Sequence, residues 1–283
     1  MSASRSDSSQ QFRLGSVVYD FRSRTHIMGI LNVTPDSFAD GGRYAQPRQA
    51  VDVALKMVDE GADIIDIGGE STRPGSDPVS VEEELRRVLP VIEEISGKTL
   101  IPISIDTYKS EVADRALQAG ASIVNDISGM AFDAAMASVV ARYGATAVIM
   151  HMRGTPKTMQ YHPVYDDVVR EVVDFLERQC EKARSAGIQQ LMVDPGLGFG
   201  KTVQHNIALM QNLSALHEVG YPVLVGPSRK SFLGSILDLP VDERLEGTAA
   251  AVALCIRNGA SVVRVHDVKE MKRVALVADA LKS

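Results

Sequence analysis

A single parallel (β/α)8 TIM barrel is the fold this sequence predicts, and three observations predict it. Short runs rich in Ile, Val, Leu or Met recur at 27–32, 63–67, 101–105, 122–125, 145–150, 191–193, 222–225 and 262–265. They alternate little, as strands covered on both faces do. Amphipathic helical patterns separate them. Run after run then stops on a polar or cationic residue. The first stops at Asn32, and later ones at Asp106, Asn125 and Asp194. The run at 222–225 leads into Gly226-Pro227-Ser228-Arg229-Lys230, and the last carries Arg264 and ends at His266. Polar groups gathered at the carboxyl ends of buried strands are how such a barrel builds one active site.

Taken in order, residues 1–11 read as a disordered tail, mostly Ser, Arg, Asp and Gln with no apolar core, so no signal peptide is expected. The barrel domain is expected over 12–283, with 12–25 forming a small cap or hairpin ahead of the first strand. Helical patterns follow at 48–60, 81–95, 111–119, 166–186, 206–217, 243–258 and 268–281. Several end at Gly-Ala just before the next strand: Gly61-Ala62, Gly120-Ala121, Gly144-Ala145 and Gly259-Ala260. That is the helix C-terminal glycine, repeated. The pattern at 243–258 is the most apolar and is read as a helix packed on the barrel, with a subunit contact as the alternative. A doubly wound open sheet would place a Gly-rich fingerprint after its first strand. None stands there.

The chain has 283 residues, 45 % hydrophobic and 23 % charged, with a formal net charge of −6. That balance argues against nucleic acid or a membrane surface as partner. No apolar run approaches the roughly 20 residues that span a bilayer. Cys180 and Cys255 fall in helical patterns and read as buried thiols of a cytoplasmic protein. The stretch Gly196-Leu197-Gly198-Phe199-Gly200-Lys201-Thr202 imitates a phosphate loop, but one residue is missing from the spacing. Its glycines instead suit a tight turn and close approach to a flat ligand.

Two loops, 33–44 and 68–79, are longer than plain connections and suggest lids that order around a ligand. Arg264 and His266 are two apart on a strand and so point the same way. With Arg73 and Lys230 they suggest a cationic anion site; pairing of Arg264 and His266 with a carboxylate such as Asp267 is the alternative. Asp106, Asn125 and Asp194 form a second group, suited to accept the N–H edge of an aminopyrimidinone. Asp66 lies in a strand, with no role legible from the sequence.

Together, several segments resemble the dihydropteroate synthase family of folate biosynthesis. They are Met28 through Phe38, Asp66 through Gly75, Ile103 through Thr107, Val124-Asn125-Asp126, Met150-His151-Met152, Asp194 through Lys201, Ser228-Arg229-Lys230-Ser231 and Arg264-Val265-His266. The resemblance implies a transferase that joins 6-hydroxymethyl-7,8-dihydropterin diphosphate to 4-aminobenzoate, releasing pyrophosphate and 7,8-dihydropteroate. It further implies Mg²⁺ dependence, a homodimer and sulfonamide sensitivity. By the same resemblance Asp106, Asn125, Asp194 and Lys230 hold the pterin, with Met150 and Phe199 along its faces. Asn32 ligates Mg²⁺, while Arg73, Arg264 and His266 hold the diphosphate. Phe38, Thr72, Pro74 and Ser231 shape the aminobenzoate site, with Arg73 and Lys230 close by. Asp106, Lys230, Arg264 and His266 are the expected catalytic set. Two readings compete: a corrin-dependent methyltransferase on the same barrel, and a non-catalytic pterin-binding relative. The first would not need the Arg264/His266 site; the second should lack one of Asp106, Lys230 or Arg264.

Overall fold

The computed structural model describes residues 11–34, 42–73 and 75–282, with the side chains of 42–46 outside the description. Two strands open the chain, β1 (Gln11–Leu14) and β2 (Val17–Asp20), paired antiparallel across a turn at Gly15. The expected hairpin is therefore present and begins at Gln11, the last residue of the expected tail; residues 1–10 lie outside the described residues.

Eight parallel strands follow: β3 (His26–Asn32), β4 (Ile64–Gly68), β5 (Ile103–Asp106), β6 (Ile123–Asp126), β7 (Thr146–Met150), β8 (Gln190–Asp194), β9 (Leu224–Val225) and β10 (Val262–Val265). Each pairs in parallel with its neighbour in chain order except β8 with β9, and β10 returns to pair with β3. The gap between β8 and β9 is bridged at Val193 and Val223, with the Val193 amide donating to the Pro222 carbonyl at 3.0 Å. This is the expected barrel. β9 is only two residues long and lies between Pro222 and Pro227, which cannot donate to a ladder.

The pleat sorts each strand into two faces. Ile27, Leu31, Ile65, Ile67, Ile105 and Val263 face outward and are buried beneath the helices. Met28, Ile64, Ile123, Val148, Met192, Leu224 and Val262 face inward at the amino ends of the strands, where they pack with Phe12, Leu14, Tyr19 and Phe21. The hairpin thus plugs one mouth of the barrel with apolar side chains. The inward positions nearer the carboxyl ends are Asp66, Asp106, Asn125, Asp194 and Arg264, by the same parity. The plugged end holds the core and the other end holds the polar groups.

The outer helices are α1 (Gly42–Asp59), α2 (Val81–Ser96), α3 (Ser110–Gln118), α4 (Met136–Tyr143), α5 (Val168–Ser185), α6 (Val203–Gln211), α7 (Ser231–Leu237), α8 (Leu245–Arg257) and α9 (Val268–Ala280). α4 and α7 were not expected, because eight and seven residues are too few to display a helical period. The helix expected over 206–217 is α6 followed by a separate 3-10 turn, Leu213–Val219. α1 begins six residues before Arg48, with Pro47 inside it. Gly61, Gly120, Gly144 and Gly259 all take left-handed backbone, as helix-ending glycines should.

Candidate active site

At the open mouth the strand ends converge. Arg264 reaches across the barrel interior from β10. Its Nε donates to Asp66 Oδ2 at 2.6 Å and its Nη2 to Asp106 Oδ2 at 2.7 Å. Asn125 Nδ2 also donates to Asp66 Oδ2, at 3.1 Å. Asp66 is fully buried, and its other oxygen, like Asp106 Oδ1, has no hydrogen-bond partner among the described residues.

The orientation of Asn125 follows from these contacts. A carboxylate only accepts, so the amide nitrogen must face Asp66 and the amide oxygen is left as the acceptor end. Asp106, Asn125 and Asp194 line one cleft together with Met150, Phe199 and Lys230. That cleft is therefore lined by a row of acceptor groups.

Burial sets the charges. It raises Asp106, against the pull of Arg264, and the Asp66 carboxylate beside it adds to the rise. It raises Asp194 as well, although the Gly196 amide donates to Oδ1 at 2.6 Å. Burial opposes the charge on Arg264, but Asp66 and Asp106 together outweigh it and hold the guanidinium ionised. Lys230 is pushed down to about 8, by burial first and then by Arg264. Its ammonium lies 4.3 Å from the centre of the Phe199 ring.

Two expectations need correction. The cationic cluster does not stand apart from the acids, because Arg264 is committed to two carboxylates. His266 is not a cation either: burial, with Arg264 and Arg229 nearby, pushes it down to about 3. Its Nδ1 instead meets Ser228 Oγ at 2.9 Å. The alternative, pairing with a carboxylate, holds for Arg264, but its partners are Asp66 and Asp106, and Asp267 binds Arg229.

Asn32 ends β3 beside this group: a Cβ added at Gly68 would lie 3.6 Å from Asp106 Cβ and 3.8 Å from Asn32 Oδ1. Thr72 lines the cleft, whereas Arg73, next to it in the loop, and Ser231, the first residue of α7, are exposed. Phe38 and Pro74 lie outside the described residues. A second cleft, between α1 and α9, is lined by Lys56, Asp59, Glu60, Lys269, Lys272 and Arg273. None of these is buried, and it is a surface groove.

The family model for pterin binding enzymes matches residues 28–266. The dihydropteroate synthase of Synechocystis is 49 % identical over 271 residues, covering 95 % of this chain and 94 % of that protein. The chain belongs to the dihydropteroate synthase family. Among solved structures, dihydropteroate synthase from Clostridium difficile, determined in the presence of pteroic acid, is similar with a TM-score of 0.88 and 47 % identity, covering 93 % of this chain and 98 % of that one. The enzyme from Xanthomonas albilineans with 4-aminobenzoic acid superposes with a TM-score of 0.91 at 42 % identity, covering 98 % and 99 % of the two chains.

The structure gives roles to two residues of the resembling segments for which sequence reasoning had none. Asp66 orients both Arg264 and Asn125 through a single oxygen. Its strand parity was the available signal, since it points the same way as Gly68 at the mouth. Lys201, which looked like part of a phosphate loop, is buried behind the loop 196–200. Its ammonium meets His151 Nδ1 at 2.9 Å, the Gly196 and Phe199 carbonyls at 3.0 Å each, and the His151 carbonyl at 3.3 Å. Burial pushes His151 down to about 2, so the neutral ring accepts from Lys201. The lysine thus ties together the backbone that presents Phe199 and Asp194. Gly196 has φ +67°, and a Cβ there would collide with the His151 carbonyl. Gly196→Ala should cost at least about 1–3 kcal/mol from the left-handed backbone alone and distort the pocket wall. Urea denaturation and pterin titration of the variant check this, and wild-type values in both would refute it.

Proposed function

We propose that this barrel mouth joins 6-hydroxymethyl-7,8-dihydropterin diphosphate to 4-aminobenzoate, forming 7,8-dihydropteroate and pyrophosphate. The row of acceptors carries the reading. An aminopyrimidinone presents N–H groups along one edge, and Asp106 Oδ1, the Asn125 carboxamide oxygen and Asp194 are what such an edge requires. Met150 and Phe199 supply flat apolar walls for the ring.

In the reaction the methylene carbon–oxygen bond to diphosphate breaks, a bond forms to the arylamine nitrogen, and that nitrogen releases a proton to solvent. The methylene gains positive charge as the diphosphate departs. The Asp106 carboxylate would stabilise that charge from a fixed position, held by Arg264. Lys230 and Arg264 supply the positive charge on the diphosphate side, with Arg73 reaching in from its loop. His266, neutral in the free protein, becomes a donor to the diphosphate, and Ser231 and Thr72 border the arylamine. Arylamines are unprotonated near neutral pH, so no nucleophilic Ser or Cys is needed.

Magnesium fits this arrangement. Mg²⁺ prefers oxygen ligands and is commonly held by few protein oxygens plus substrate phosphates. Asn32 Oδ1 is one such oxygen at the mouth, beside Asp106. No cluster of three or more His, Cys, Asp or Glu that would hold a metal alone exists among the described residues. The ion would neutralise the departing diphosphate. Calorimetric titration with pyrophosphate tests the anion side directly. Binding that tightens with Mg²⁺ is expected, and absence of binding under both conditions would contradict the proposal.

Lys230 gives the reaction a pH limit. The lysine is charged below about 8 and neutral above it. The kcat/KM for the pterin diphosphate should therefore fall as pH rises through about 8, and Lys230→Met should abolish that limb along with most of the activity. A pH profile identical in both proteins would remove Lys230 from the site.

A homodimer and a cytoplasmic location complete the proposal. Ile236, Leu237, Val241 and Leu254 are large apolar side chains left exposed on and around α7 and α8, which supports a subunit contact there. Cys180 and Cys255 are unpaired buried thiols, as suits a reducing compartment. No helix among the described residues is long and apolar enough to cross a membrane.

A further inference from the structure

We infer that Lys109, held between Glu70 and Glu84, is a positioning residue that fixes the loop carrying Thr72 and Arg73. This rests on the dihydropteroate synthase reading of the site, in which that loop forms the aminobenzoate pocket.

The loop runs from the end of β4 to the start of α2, and its base is clamped at two successive residues. Gly69 lies flat on α2: a Cβ there would come within 2.8 Å of Val88 Cγ1 and 3.0 Å of Glu84 Cγ. Its carbonyl accepts from Arg87 Nη1 at 2.7 Å. Glu70 then folds back and is buried. Its Oε2 accepts from Lys109 Nζ at 2.6 Å and from the Val79 amide at 3.0 Å, while Oε1 accepts from the Tyr108 hydroxyl.

Lys109 closes the figure. Besides Glu70, its ammonium donates to Glu84 Oε2 at 2.6 Å and to the Val79 carbonyl at 2.8 Å. An ammonium has three N–H bonds. One goes to the first residues of the loop, one to its last, and one to the helix that follows. The cross-links at 70 and 79 fix both ends of the loop, and Thr72 stands two residues from the fixed Glu70.

The network is a poor device for stability alone. Two buried carboxylates share one cation, and Glu84 Oε1 has no partner among the described residues. A buried ionic group of this kind is often no more stable than apolar side chains of the same size. Its gain is a single loop geometry, delivered to the cleft that Thr72 lines. Misplacing a substrate-positioning group by an ångström has a kinetic cost far larger than its structural one.

The test uses both substrates and one reading that does not depend on activity. In Lys109→Met, KM for 4-aminobenzoate should rise about tenfold, while KM for the pterin diphosphate, which meets this loop only through Arg73, should rise several times less. Amide hydrogen exchange over 70–80 in the ligand-free protein should accelerate in the same variant. Glu84→Gln keeps the packing and removes one buried charge, so it should remain folded and give a smaller rise of the same selective kind. Unchanged aminobenzoate KM in a folded Lys109→Met protein overturns the inference. So does an equal rise in both KM values with unchanged exchange. If Lys109→Met fails to fold, Glu84→Gln decides on the same two readings. A wild-type protein that makes no dihydropteroate would instead overturn the functional reading, and the exchange data would still report on the clamp.

Discussion

Replacing Asp106 by alanine should lower turnover by about 10²-fold or more, the scale of losing one preorganised electrostatic group, while the barrel stays folded. Both halves follow from its surroundings. Asp106 is buried with one oxygen on Arg264 and the other unpartnered. Removing it deletes the carboxylate proposed to stabilise the developing charge. It does not orphan Arg264, which keeps Asp66 at 2.6 Å. The fold even loses a buried carboxylate whose ionisation burial disfavours. The variant should therefore melt near the wild type and fail at saturating concentrations of both substrates. Near-normal turnover would take Asp106 out of the mechanism.

Arg264→Met should behave in the opposite way for the fold. The sequence suggested an anion-site cation. The structure puts its guanidinium between two buried carboxylates, and those remain after it is gone. Breaking a buried pair by removing one partner costs about 3–5 kcal/mol, because an uncompensated charge stays behind. Activity should be lost as well, since the diphosphate loses a cation and Asp106 loses its anchor. Adding Asp66→Asn should restore much of the stability and none of the turnover. The pH dependence has a definite sign. Burial already raises Asp106, and without the pull of Arg264 it holds its proton still more tightly in the folded chain than in the unfolded one, so stability should fall as pH rises. Urea denaturation of both variants across acid and neutral pH would show this. A single variant as stable as wild type at neutral pH would mean the ion pairs are not formed in solution.

Much of this was legible in the sequence, for physical reasons. A strand buried on both faces must be apolar until it leaves the barrel, so each strand end announces itself as the first polar residue. That placed Asp106, Asn125, Asp194 and Arg264 at one mouth before any coordinates. Partnership across the barrel interior was not legible. Arg264 and Asp66 are 198 residues apart, on strands that flank β3 on either side, and no local pattern says whether an inward arginine meets a ligand or a carboxylate. The same limit hid Lys109 and Glu70, which are 39 residues apart. The loop 68–79, read as a mobile lid, has a fixed base for that reason. Lys201 had no role legible in the sequence once the phosphate-loop spacing failed; its burial shows that it serves carbonyls.

The claim at the centre of this account is that the acceptor row and the cations at the barrel mouth act on one substrate pair. Its most direct test is to incubate the purified protein with 6-hydroxymethyl-7,8-dihydropterin diphosphate, 4-aminobenzoate and Mg²⁺, and to quantify dihydropteroate and pyrophosphate together. The account predicts that both appear in equal amounts, that chelating Mg²⁺ suppresses them, and that Asp106→Ala abolishes them in parallel. Pyrophosphate release without dihydropteroate, or no turnover by a folded wild-type protein, would contradict it.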